Sequence, residues 1–126
     1  MTDANSTRSV LVVDDDCDLR ELVADLLEGA GRRVFTASDG SDALRKLDQD
    51  GIPRPCIVLL DWFMAPMGGR GFLDALAERS DSADVKVIVL SASSGTVALR
   101  PEAGVLDVLP KPFGIDELMA ALRRHD

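Results

Sequence analysis

The sequence predicts an α/β fold: one doubly wound, five-stranded parallel sheet with helices on both faces. Three observations carry that prediction. Short, wholly apolar runs such as Val10-Leu11-Val12-Val13 and Cys56-Ile57-Val58-Leu59-Leu60 read as strands buried on both sides, since a strand with one wet face would alternate. Between these runs lie segments whose apolar residues recur at helical spacing. The two kinds of segment alternate along the chain with no repeat and no linker, which is the pattern of βα units.

Each element follows in order. Residues 1–8 (MTDANSTR) are polar and predict a flexible leader before a domain at 9–126. The strand Val10–Val13 stops at three acids, Asp14, Asp15 and Asp16. A helix follows, with Leu19, Leu22, Val23, Leu26 and Leu27 expected on its inner face, and Gly29 and Gly31 ending it. Residues 33–37 (RVFTA) are a second strand, and Ser38-Asp39-Gly40-Ser41 supplies turn and capping chemistry. A short helix carrying Ala43, Leu44 and Leu47 stops near Gly51 and Pro53. After the third strand, Met67-Gly68-Gly69 leads into a helix with Phe72, Leu73 and Leu76 inward. Residues 85–90 (VKVIVL) are a fourth strand. Residues 97–100 predict a short helix ended by Pro101, and Asp107–Leu109 a short fifth strand. The last helix places Ile115, Leu118, Met119 and Leu122 on one face.

Composition narrows the function classes. The chain has 126 residues, enough for one domain with a core of its own. There are 22 acids against 14 bases, a net charge of −8, which argues against direct binding to nucleic acid. Cys17 and Cys56 form no CxxC pair and read as reduced thiols. No secretory signal and no apolar run long enough to span a membrane is present, so a cytoplasmic protein without membrane insertion is expected.

In sheets of this kind ligands bind at the carboxyl ends of the strands. Strand one ends at Asp14 and Asp15, strand three at Asp61, strand four at Ser91, and strand five runs into Lys111. Parallel strands bring these residues to one edge. Several carboxylates at one spot repel and call for a cation, and Mg²⁺ prefers such oxygen ligands. A carboxylate can also accept a phosphoryl group, whose oxygens a hydroxyl and an ammonium would stabilise.

The pieces VLVVDDDCDLR, AGRRVFTASDG, CIVLLDWFM, VIVLSA and LPKPF, in that order, give the chain a close resemblance to receiver domains of bacterial two-component response regulators. The resemblance covers Val10 to about Leu122 and implies the flavodoxin-like sheet order 2-1-3-4-5. It implies that Asp61 is the phosphoacceptor, taking its phosphoryl group from a phosphohistidine. Asp14, Asp15 and Asp61, with the backbone carbonyl of Phe63, would hold Mg²⁺ or Mn²⁺. Ser91 and Lys111 would stabilise the phosphoryl group. A sensor histidine kinase or a histidine phosphotransfer protein would be the donor, and a downstream protein of unknown identity the recipient of the signal. The chain would be a monomer or weak homodimer, a stand-alone switch rather than an enzyme, with only self-directed phosphoryl transfer and autodephosphorylation. A cis bond at Lys111–Pro112 is also implied.

Four departures stand out. The loop after the acceptor reads Met64-Ala65-Pro66-Met67-Gly68-Gly69, with the proline displaced by one place and Gly68 where the family has an acid. The switch positions are Ser91 and Val108, and the family's aromatic is replaced by Val108 in a chain that has no Tyr. The stretch from Ser91 to Lys111 is short and contains Pro101. Phe63 stands where a polar residue is usual, and its bulk is expected to shield an acyl phosphate from water. Two other readings stay open at this point. One is a receiver-shaped binding module that is not phosphorylated. The other is a haloacid dehalogenase-type phosphatase using Asp14-Asp15-Asp16, which leaves Asp61 without a role.

Overall fold

The computed structural model describes residues 9–49, 51–62, 68–79, 84–91, 105–110 and 113–125, with Ser91 and Pro110 described in their backbone only. These residues form β1 (Ser9–Val13), α1 (Cys17–Gly29), β2 (Val34–Ala37), α2 (Gly40–Gln49), β3 (Cys56–Asp61), α3 (Gly68–Ala77), β4 (Val85–Ser91), β5 (Val105–Pro110) and α4 (Ile115–His125). The leader at 1–8, the expected short helix at 97–100 and the expected cis bond at Lys111–Pro112 lie outside the described residues. Every strand pairing is parallel and the order is β2-β1-β3-β4-β5, the doubly wound order that the sequence predicts.

Side chains of a strand alternate between faces, and here both faces are apolar. Leu11, Val13, Val58, Leu60, Val87 and Val89 pack on one side with Ala43 and Leu47 of α2 and Phe72, Leu73 and Leu76 of α3. Val10, Val12, Ile57, Leu59, Ile88 and Leu90 pack on the other with Val23 and Leu27 of α1 and Leu118, Ala121 and Leu122 of α4. Each buried Val or Leu contributes about 1.5–3 kcal/mol, so the three central strands anchor the fold. Among the described residues no helix is long and apolar enough to cross a membrane.

The helix ends follow local chemistry. At the end of α1, Gly31 takes φ +90°, where a side chain would be strained. The Gly31 N–H donates to the Glu28 carbonyl at 2.9 Å and the Arg32 N–H to the Leu27 carbonyl at 3.1 Å, closing the helix in a Schellman turn. At the start of α2, Asp39 Oδ1 accepts from the Asp42 N–H at 2.8 Å, and Asp42 Oδ2 accepts from the Ser38 N–H at 3.1 Å.

Two elements differ from expectation. β5 is longer than Asp107–Leu109, because a bulge absorbs an extra residue: Val87 pairs with Val105 and Ile88 with Asp107, leaving Leu106 over. In α1 the buried residues are Val23, Ala24 and Leu27, whereas Leu22 and Leu26 are 56% and 42% exposed. Each of those leucines precedes a buried residue by one position, a rotation of about 100° around the helix, which carries it off the inner face.

Candidate functional site

Parallel strands deliver their carboxyl ends to one edge, and register decides which residues meet there. Val13 of β1 pairs with Leu60 of β3, so Asp14 leaves β1 beside Asp61. Asp61 pairs with Leu90 of β4, and Ser91 pairs with Pro110 one step further out. The Ser91 backbone thus stands at the same edge as the two acids. Phe63 and Lys111 lie outside the described residues.

Asp14, Asp15 and Asp61 come together. One carboxylate oxygen from each lies within 4.8 Å of the others. Asp14 and Asp61 are buried, at 2% and 7% exposure, while Asp15 is exposed. Asp61 thus closes β3 as a buried carboxylate. β3 is central, and its ladder continues past Asp61 through the Trp62 N–H, which donates to the Leu90 carbonyl at 3.0 Å. Hard oxygen donors at this separation fit Mg²⁺ or Mn²⁺, since opposite ligands of an octahedral Mg²⁺ stand about 4.2 Å apart. The exposed Asp15 gives that donor set an open side.

The turn between β1 and α1 is held by its own side chains. The Asp14 N–H donates to the Ala37 carbonyl at 3.3 Å. Asp14 Oδ1 accepts from the Asp16 N–H at 2.9 Å. Asp16 caps the helix, its Oδ1 accepting from the Leu19 N–H at 3.2 Å, and its carbonyl accepts from the Arg20 N–H at 2.9 Å. Arg20 then reaches back from the first turn of α1, its Nη1 donating to the Asp14 carbonyl at 2.8 Å. Sequence reasoning missed Arg20. The available signal was a cation in the first turn of a helix, where the dipole disfavours positive charge.

Around the site, Trp62 is half-buried with the Arg70 guanidinium 5.6 Å from its ring centroid, a cation–π contact. Cys17 is an exposed free thiol, and its Sγ–H donates to Glu21 Oε2 at 3.0 Å. That hydrogen bond and the Glu21 charge push the thiol up, so Cys17 is a poor nucleophile at neutral pH. Val108, expected from the sequence to be a switch position, is half-buried against the core shared with α2 and α3, and its N–H donates to Asp107 Oδ1 at 2.9 Å. Asp107 also binds α4: its Oδ2 accepts from Arg124 Nη2 at 2.6 Å and lies 3.6 Å from His125 Nε2. This arrangement is not visible in the sequence, since Asp107 meets Arg124 and His125 only through the fold.

Comparison with known proteins agrees with this geometry. Residues 10–123 match the response regulator receiver domain. The transcriptional regulatory protein CpxR homolog of Haemophilus influenzae is 38% identical over 116 residues, covering 90% of this chain and 48% of that protein. The chain spans about half the length of the curated relatives it matches. Among solved structures, a CheY-like receiver domain protein from Methanospirillum hungatei superposes with a TM-score of 0.80 at 27% identity, over 93% of this chain and 92% of that one. The response regulator TrrA of Thermotoga maritima, in complex with Mg²⁺ and BeF, has a TM-score of 0.78 at 26% identity, over 94% and 98%. The sheet order, the three acids at its carboxyl edge and the match over residues 10–123 together make this chain a member of the response regulator receiver domain family.

Proposed function

We propose that residues 9–126 form a phosphorylation-controlled switch in which Asp61 accepts a phosphoryl group from a phosphohistidine. The observation that carries this reading is the meeting of Asp14, Asp15 and Asp61 within 4.8 Å at the carboxyl edge of the sheet. An Asp61 carboxylate oxygen attacks phosphorus, the N–P bond of the donor breaks, and its electron pair stays on the imidazole nitrogen. Asp14, Asp15 and Asp61, with the Phe63 carbonyl, would hold Mg²⁺ or Mn²⁺, which when bound offsets the charge of the carboxylates and the phosphoryl oxygens. A neighbour in fold, TrrA, is itself in complex with Mg²⁺ and BeF, which supports a Mg²⁺ reading of the pocket. Ser91 and Lys111 stabilise the transferred group, with Ser91 and Val108 as the positions that sense it.

The donor is a sensor histidine kinase or a histidine phosphotransfer protein, and the signal passes on through protein contacts in the cytoplasm. Receiver domains are switches rather than enzymes in the usual sense. The net charge of −8 argues against direct nucleic-acid binding by this domain.

Incubation with acetyl phosphate and Mg²⁺, followed by intact-protein mass spectrometry, tests the reading. One phosphoryl adduct that EDTA prevents is the expected result. No adduct would favour a receiver-shaped binding module, to which Val108 in place of the switch aromatic points. Steady turnover of a phosphate ester would favour a phosphatase.

A further inference from the structure

We propose that Arg20 is a positioning residue for the acidic pocket. Its guanidinium holds the Asp14 carbonyl and so fixes the turn that presents Asp14 and Asp15 to a divalent cation. The inference rests on the metal-binding reading of that pocket.

Four observations carry it. Arg20 stands in the first turn of α1, where a cation opposes the helix dipole, so something must offset its placement. Its Nη1 lies 2.8 Å from the Asp14 carbonyl oxygen, a charge-assisted bond. Asp14 is almost wholly buried, and the register between β1 and both its neighbours ends at Val13, so its carbonyl lies beyond the ladder and needs a partner. Asp14 is then held in its backbone and its side chain: its N–H on the Ala37 carbonyl, its Oδ1 under the Asp16 N–H, and its carbonyl under Arg20.

Those contacts bear on the rotation of the peptide that joins Asp14 to Asp15. Two ligands sit on either side of that peptide, so its orientation decides whether both carboxylates converge on the carboxyl edge of β3. Partners that orient metal ligands are worth about 10–100-fold in affinity at other sites. Arg20 also brings a positive charge to a pocket of three acids, which opposes an incoming cation. The proposal is that orientation outweighs this charge.

The test is calorimetric titration of the full chain with MgCl₂ alone, comparing wild type with Arg20→Met and Arg20→Lys. Thermal melts in EDTA run alongside. The expected result is Mg²⁺ binding weakened about tenfold in Arg20→Met, at the low end of that range, with Arg20→Lys in between. A merely structural arginine would lower the melting temperature and leave the affinity of the folded protein unchanged. A folded Arg20→Met with wild-type affinity, or with tighter binding, overturns the proposal. If Arg20→Met fails to fold, Arg20→Lys decides: weaker binding supports the proposal and wild-type affinity overturns it. No Mg²⁺ binding by wild type would overturn the metal reading and this inference together. Normal wild-type binding with unchanged variants would overturn the inference alone.

Discussion

Arg124 Nη2 lies 2.6 Å from Asp107 Oδ2 and ties the last turn of α4 to the edge strand β5. Burial alone would raise the Asp107 carboxyl, but Arg124, the Val108 N–H and His125 outweigh it and hold the group below the usual carboxylate value. A carboxylate whose folded value is depressed stabilises the protein at pH above its ordinary value, and that contribution is lost as pH falls through the folded value. Urea unfolding of wild type and Asp107→Asn should therefore differ at neutral pH and converge below the ordinary carboxylate range. The Arg124 side chain is 59% exposed, so a double-mutant cycle on Asp107 and Arg124 should give a coupling of only about 0.5 kcal/mol. A gap that widens towards acid would contradict the assignment.

Phe72 and Leu22 are both apolar residues at inner helical positions of the sequence pattern, yet their energetics should differ sharply. Phe72 is fully buried between α3 and the sheet, and Leu22 is 56% exposed. Phe72→Ala should cost about 3–5 kcal/mol by chemical denaturation. Leu22→Ala should stay within about 0.5 kcal/mol, as surface changes do. Comparable losses would mean that α1 sits on the sheet by a different face.

That contrast shows how far the sequence could be read. The strands were legible because parallel strands buried on both faces leave unbroken apolar runs, as in residues 57–60. The meeting of Asp14, Asp15 and Asp61 was legible because strand ends in a parallel sheet share an edge. Leu22 and Leu26 were misplaced because helical spacing marks a broad stripe, and only packing decides which residues of it touch the sheet. β5 was underestimated because the bulge at Leu106 breaks the pattern that marks a strand. Arg20 and Asp107 were not seen because each acts on a partner that only the fold brings near.

Trp62 and Arg70 offer a local test next to Asp61. The guanidinium stands 5.6 Å from the ring centroid of the only tryptophan in the chain. Arg70→Gln should cost about 0.5–1 kcal/mol in urea unfolding and shift the Trp62 emission spectrum. An unchanged spectrum would mean that the contact is not kept in solution.

Phe63, two places past the proposed acceptor Asp61, is expected to lengthen the life of an acyl phosphate there by keeping water from it. Phe63→Asn should lose its phosphoryl group faster than wild type when decay is followed by intact mass after the donor is removed. An equal or slower decay would remove that role from Phe63.

The most direct measurement is to locate the phosphoryl group. After incubation with acetyl phosphate and Mg²⁺, peptide mapping of wild type should place one adduct on the peptide that carries Asp61, and Asp61→Ala should carry none. An adduct that persists in Asp61→Ala, or one that maps to another acid, would contradict the account.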